Sequence, residues 1–335
     1  WRQKQANNIV LRFDPAEPGK SCSWNPLGEI RFGTRYQVSD AQNIALMVID
    51  SDGKGIQGDH FRSAAFELLV GLILHALYKS ESLGREACIQ DCAHMLTSVG
   101  EFAAPDKQSE DDADPRANGK QSKDDVEPKA LAGLCFEMSN VSLTDTVTNR
   151  EAQLVIRGVG IRMKSAPARE LGSIISTANN ALSLYRDPIV GENTSRSDFK
   201  ISDLMDIDRP VSLYFITTPR STDRMKPLAR LLLTQIVLGL ADQMQFDAGR
   251  SRTVHKNRLL MMLDEFPSLG RLDVFENALA FLSGYGIKAY IIIQDVQQLY
   301  KTYTNNETII SNCHIRIAHA PNKLETAEWL SKMTG

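Results

Sequence analysis

Two neighbouring carboxylates, Asp264 and Glu265, follow directly on five apolar residues, Leu259–Leu263. An unbroken apolar run of this length suits a strand buried on both faces in a parallel sheet, and its abrupt acidic end sets both charges at the strand's mouth. In open α/β sheets that mouth lines the ligand crevice. One carboxylate there can hold Mg²⁺, directly or through its water, while the other orients or deprotonates an attacking water. Pro267 and Gly270 then force a turn, residues 274–285 read as a helix, and residues 288–293 form a second apolar strand ending in Gln294. A glutamine beside the acidic pair can sense or position a terminal phosphate. The pattern is that of a Walker B strand, although any buried strand must end in something polar.

The elements that would position these groups alternate. Strands are expected over residues 8–13, 210–216, 259–263, 288–293 and 314–318, with a strongly apolar helix over 228–243, and such alternation argues for a parallel sheet rather than a sandwich. Residues 40–186 carry almost no strand signal. Apolar residues recur there at helical spacing over 41–49, 59–80, 85–99, 131–138, 148–164 and 167–185. The expected division is therefore an α/β domain made of residues 1–39 and 187–335, interrupted by an all-α domain of residues 40–186. A charged segment at about 103–130, with prolines and no apolar period, reads as a mobile surface loop within the second.

Composition bounds the rest. With 42% apolar and 24% charged residues the 335-residue chain has the profile of a soluble globular protein, and no uninterrupted apolar run approaches the roughly 20 residues needed to span a bilayer. The net charge is −3, and residues 105–129 carry it, with eight acids against five bases. A protein that grips nucleic acid by bulk charge is basic, so any DNA contact here must be a local patch or a pore lining. Five scattered cysteines fit reduced thiols better than a disulfide framework. Cys88, Cys92 and His94 share one stretch, but a metal site needs more converging ligands, and small buried core residues is the better reading. Gly53-Lys54 follows an apolar run as a phosphate loop would. The spacing Gly-x-x-x-x-Gly-Lys-Ser/Thr is absent, however, and Gly55 stands where the Mg²⁺-binding hydroxyl belongs, so this is read as an inter-helix loop.

Longer motifs carry a resemblance. Leu-Asp-Glu-Phe-Pro-Ser-Leu-Gly-Arg at 263–271, with Ile-Ile-Gln-Asp-Val-Gln-Gln-Leu at 292–299, resembles the TraG-type type IV coupling proteins of conjugation and type IV secretion. Phe13-Asp14-Pro15 followed by Trp24-Asn25-Pro26-Leu27 is similar to the same family, as are residues 183–188, 194–199 and 223–228 with Arg230. The resemblance covers both ends and most of the middle of the chain.

It implies a RecA-like P-loop NTPase fold with an inserted all-α domain, ATP and Mg²⁺ as cofactors, and named roles. Asp264 would coordinate Mg²⁺, Glu265 would activate the attacking water, and Gln294 would sense the γ-phosphate. Arg224, Arg230 and Arg271 are candidates for an arginine acting on a neighbouring subunit's site. Family members carry a membrane anchor and P-loop upstream of the part seen here, so a fragment inactive by itself is expected. The resemblance also implies a homo-oligomer, a hexamer, at the cytoplasmic face of the bacterial inner membrane. Its partners would be single-stranded DNA, relaxase, relaxosome or effector proteins, and type IV secretion channel components. Two functions follow: an ATPase driving DNA or protein substrates to the secretion channel, or a non-catalytic docking module whose all-α domain binds cargo.

Overall fold

The computed structural model describes residues 7–101, 129–144, 146–242, 244–247, 250–319 and 323–334. Residues 102–128, nearly all of the charged segment, lie outside these. The chain divides into two compact units, one of residues 1–22, 51–55 and 199–335, the other of residues 23–50 and 56–198. These boundaries fall at 22/23 and 198/199 rather than at the expected 39/40 and 186/187. The stretch around Trp24 explains the shift at both places. Trp24 donates its backbone N–H to Asn193 O (2.9 Å), Asn25 donates its backbone N–H to Ser197 Oγ (3.0 Å) and its side-chain amide to Ala87 O (2.7 Å), and Ser23 donates its backbone N–H to Asp198 (2.7 Å), so this segment is stitched into the helical unit.

Strand β1 (Ile9–Phe13) comes first, and the helical unit follows it in sequence. That unit consists of α1 (Gln37–Ile49), α2 (His60–Ser82), α3 (Ile89–Glu101), α4 (Lys129–Ser139), α5 (Val147–Ser165), α6 (Ala168–Ala181) and the short α7 (Pro188–Asn193). Helix α2 is its axis. Asp59 caps it by accepting from Arg62 N–H, and Leu68, Leu69, Leu72, Ile73 and Leu74 are buried on all sides of it rather than along one stripe. By length and composition α2 could cross a membrane, yet 72% of its apolar stretch is buried inside the unit, as in a core helix. Two glycines set how closely helices of this unit approach one another. A Cβ on Gly71 of α2 would fall 2.8 Å from Val159 of α5, and one on Gly160 of α5 would fall 2.6 Å from the backbone of Ser139 at the end of α4.

The α/β unit continues with α8 (Asp203–Asp206), β2 (Val211–Phe215), α9 (Thr222–Leu240), β3 (Met244–Asp247), β4 (Arg250–Thr253), β5 (Leu259–Leu263), α10 (Asp273–Ala278), β6 (Ile287–Ile291), α11 (Val296–Tyr303), α12 (Ile309–Asn312) and α13 (Leu324–Thr334). Strands β1 and β2 pair in parallel from Ile9↔Val211 to Phe13↔Phe215, so the helical unit is inserted between two adjacent strands. Strands β5 and β6 pair in parallel from Leu259↔Ile287 to Leu263↔Ile291, and β3–β4 is an antiparallel hairpin.

Four expectations are corrected. The described strands form three separate two-stranded sheets rather than one continuous one, and residues 314–318 are not a strand. The expected double burial of β5 is also incomplete. Met261 and Leu263 are buried, while Leu260 and Met262 are 57% and 63% exposed, because only one face of the β5–β6 pair is covered. Helix α9 starts at Thr222, six residues before the expected start, and accommodates Pro227. Proline there removes one early intrahelical bond and leaves the rest of the helix intact.

Candidate functional site

The parallel register of β5 and β6 brings Asp264, Glu265 and Gln294 to one end of the pair. Ile292 N–H donates to Leu263 O at 2.9 Å, and Phe266 N–H donates back to Ile292 O at 3.1 Å, so the pairing continues just past both strands. Gln294 then donates from Nε2 to Oε1 of Glu265. Asp264 is exposed at the mouth and accepts the Glu265 backbone N–H at 3.1 Å. The three side chains that the sequence singles out are therefore neighbours at the carboxyl edge of a parallel pair, where ligands of open α/β sheets bind.

Glu265 is held in an unfavourable backbone. Its φ of 50° and ψ of 40° are left-handed, which costs a non-glycine residue of order 1–3 kcal/mol and persists only when surrounding structure enforces it. The enforcement is visible. Ser268 N–H donates to Glu265 O at 2.8 Å and closes a tight turn, and Phe266 drives its ring into the unit's core. There Phe266 stacks on Tyr303 of α11 at 5.7 Å between centroids and meets Phe275 of α10 at 5.2 Å. Tyr303 adds a polar anchor, its hydroxyl accepting from Leu272 N–H (3.1 Å) and donating to Gly270 O (3.3 Å). Burial pushes that phenol's pKa up, so it stays a neutral donor. These aromatics were not singled out in the sequence, although Phe266 and Phe275 are both apolar residues flanking a turn that has no other reason to carry them.

Arg230 proves to be a strut. It is 4% exposed, and its Nη1 donates to Leu269 O (3.1 Å) and Arg271 O (2.6 Å), carbonyls of the turn that follows Glu265. Within this chain Arg230, one of the three candidate trans arginines, thus braces the turn after Glu265. Arg224 and Arg271 are exposed, and Arg271 forms an ion pair with Asp273 at 2.6 Å that raises its pKa further.

The loop Ser51–Gly55 groups with this unit although it connects α1 to α2. Gly53, at φ +72°, lies so close that a Cβ would fall 2.4 Å from Arg271 O and 2.6 Å from Arg230 Nη2. Reading this segment only as an inter-helix loop missed that contact, and the glycine was the available signal.

Asp295 fixes the other side. It caps α11 by accepting from Gln297 N–H (2.9 Å), and it accepts from Thr326 of α13 (2.8 Å) and from Lys323. The lysine above all, then the backbone N–H and Thr326, hold its pKa down at about 2. The residue next to Gln294 is thus clamped in place. In the helical unit, burial raises the thiol pKa of Cys88 and Cys92. No group of three or more His, Cys, Asp or Glu among the described residues could hold a metal ion. Asp264 offers an exposed hard oxygen donor at the mouth, which fits Mg²⁺ because that ion keeps several waters and takes one or two carboxylates plus phosphate oxygens.

A family model described as type IV secretory system conjugative DNA transfer matches residues 1–335. Conjugal transfer protein TraG of Escherichia coli is 44% identical over 338 residues, covering 100% of this chain and 48% of that protein. Protein VirD4 of Rhizobium rhizogenes is 26% identical, covering 99% of this chain and 42% of its own length. The chain thus spans about half the length of the curated relatives it matches. Among solved structures, plasmid coupling protein TrwB in complex with ADP and Mg²⁺ matches with a TM-score of 0.55 at 17% identity, over 90% of this chain and 57% of that one. The same protein with a non-hydrolysable ATP analogue gives the same TM-score at 18% identity. This likeness bears on fold, and it agrees with the expected α/β RecA-like architecture carrying an inserted all-α domain.

Proposed function

The chain belongs to the type IV secretory system conjugative DNA-transfer family, and we propose that its Asp264, Glu265 and Gln294 edge is the hydrolytic half of an ATP site in a coupling ATPase. That ATPase recruits DNA or protein substrates and drives them to the secretion channel. The observation that carries this reading is the bond from Gln294 to Glu265 at the shared carboxyl edge of β5 and β6.

Each residue has a task. Glu265, with one carboxylate oxygen engaged by Gln294, takes the proton of the attacking water on the other as the water oxygen bonds the γ-phosphorus and the bond to the β–γ bridging oxygen breaks. Gln294 senses the γ-phosphate and passes its presence to Glu265 through that same bond. Asp264 holds Mg²⁺, directly or through water, and the ion when bound neutralises charge on the phosphate oxygens. No Gly-x-x-x-x-Gly-Lys-Ser/Thr run occurs in these 335 residues. In this reading the amide cradle and its lysine come from another part of the whole protein, and the 335 residues by themselves hydrolyse ATP poorly. Arg224 or Arg271 completes the site of the next subunit in a homo-oligomer, a hexamer at the cytoplasmic face of the bacterial inner membrane. Single-stranded DNA, relaxase or effector proteins and secretion channel components are the partners.

The test is ATP turnover by the full-length protein, wild type against Glu265→Gln, with and without DNA. Glutamine keeps the shape and loses the base, so turnover falls by about two orders of magnitude or more. Unchanged turnover removes Glu265 from that role. The second reading, a non-catalytic docking module, is favoured by an exposed apolar stripe on α5, and it requires DNA transfer to survive Glu265→Gln.

A further inference from the structure

Helix α5 carries three large apolar residues on its outer side. Val147, Leu154 and Ile161 are 68%, 71% and 56% exposed, and their spacing of seven residues lines them along one face of the helix. Beside this line runs an open groove of about 250 Å³ between α1, α2 and α5, whose walls include Phe66, Val70, Leu154, Val155 and Val159. Gly158 sits in the middle of the line. A Cβ there would meet nothing within 4 Å, whereas Gly160 is required by the close approach of α4. A mid-helix glycine weakens a helix, and nothing within the described unit needs this one. What it leaves is a gap in the exposed face between Leu154 and Ile161.

The charges around the line are mostly basic. Helix α5 holds Arg150, Arg157, Arg162 and Lys164 against a single acid, Glu151. Arg157 donates to Val141 O (2.7 Å), Arg162 pairs with Glu67 across the groove, and Lys164 lies over the ring of Phe136. On the groove side Glu67 offsets Arg162, whereas Arg150, Arg157 and Lys164 run along the opposite side of the apolar line. A nucleic acid backbone would want positive charge at the centre of its footprint. A second copy of this chain would bring the same basic margins against these.

We infer that the α1–α2–α5 groove, with the Val147, Leu154 and Ile161 line, is a docking site for one amphipathic α-helix of a cargo protein, apolar at heptad spacing and acidic along its flanks. This rests on reading the all-α unit as the place where cargo is received. The occupant is a helix because its period matches the line, and it is acidic because the side of the line that carries Arg150, Arg157 and Lys164 is basic.

The probe is a fluorescein-labelled designed helical peptide with leucine at heptad spacing and glutamate flanks, titrated against the full chain by anisotropy. The control carries lysine flanks on the same apolar pattern. The glutamate peptide is expected to bind at micromolar concentration, with the lysine peptide at least tenfold weaker. Leu154→Asp and Gly158→Leu each weaken binding at least tenfold, with circular dichroism of both variants matching wild type. Absent binding, equal binding of the two peptides, or binding indifferent to both variants overturns the site. A wild-type mass by light scattering that is twice that of Leu154→Asp also overturns it, since a second copy would then be the occupant. The cargo reading is separated by DNA transfer with the full-length protein carrying Leu154→Asp. Peptide binding lost with transfer intact leaves a helix-docking groove standing and removes cargo from it.

Discussion

Helix α2 and strand β5 each carry a run of apolar residues, and the two runs end up in opposite circumstances. Residues Leu68–Leu74 of α2 are buried on every side of the helix, while β5 buries Met261 and Leu263 and turns Leu260 and Met262 outward. The helical unit surrounds its axis with α1, α3, α5 and α6, so its core closes on itself. The α/β unit is built around a strand pair covered on one face, and what it holds rigid is the edge of that pair. An apolar run thus states a demand for burial without stating how many neighbours meet it.

Substitution in the two segments sharpens the contrast. Leu72→Ala in α2 should destabilise the helical unit by about 2–5 kcal/mol, the cost of an unrelaxed core cavity. Met262→Ala in β5 should change stability by no more than about 0.5 kcal/mol. Urea unfolding followed by circular dichroism reads both, and equal effects would dissolve the distinction. Between these extremes lies Gly53→Ala. A Cβ forced against Arg271 O and the Arg230 guanidinium, at a left-handed φ, should cost about 2 kcal/mol and loosen the turn after Glu265. Hydrogen exchange over residues 266–272 would report it, and unchanged protection there would mean that the loop does not brace the turn.

Acid separates the units by a smaller margin. His75 is buried in α2, 3.3 Å from Glu137 of α4 and near Lys79. Burial first, then Lys79, lowers its pKa from 6.5 against the opposing pull of Glu137. A base with a lowered folded pKa contributes stability that is complete above the unfolded value and is lost as pH falls through about 6.5. Asp295 in the α/β unit also has a lowered pKa, but as an acid its contribution is complete above 3.8 and fades as pH falls toward about 2. Segment-resolved hydrogen exchange on lowering pH should therefore show α2 and α4 losing protection first, and α11 and α13 well below them. His75→Leu should flatten the first loss and Asp295→Asn the second. Simultaneous loss in the wild type would refute this order.

Much of the site was legible because it is local. The strand Leu259–Leu263, its acidic end and the partner strand ending at Gln294 follow from apolar runs and turn residues, and parallel pairing then brings their ends together. The supporting shell was not legible. Arg230, Tyr303 and Gly53 lie far along the chain from Glu265, and an arginine buried on carbonyls has the same letter as one that reaches for phosphate. The hairpin β3–β4 was missed because Met244–Asp247 and Arg250–Thr253 are mostly polar and carry no apolar run to mark a strand, and the absent strand at 314–318 shows a short apolar alternation that found no partner among the described strands.

The sequence by itself determined where the apolar segments lie, where they stop, and that an acidic pair and a glutamine close two of them, since these depend on the order of residues and on side-chain chemistry. Only the tertiary structure decided that Glu265 sits in a left-handed backbone, that Arg230 faces inward and that β5 leaves one face open. Those outcomes depend on which distant segments arrive against each residue, and long-range packing overrides local preference because a buried guanidinium or a strained φ survives only where its neighbours satisfy or enforce it.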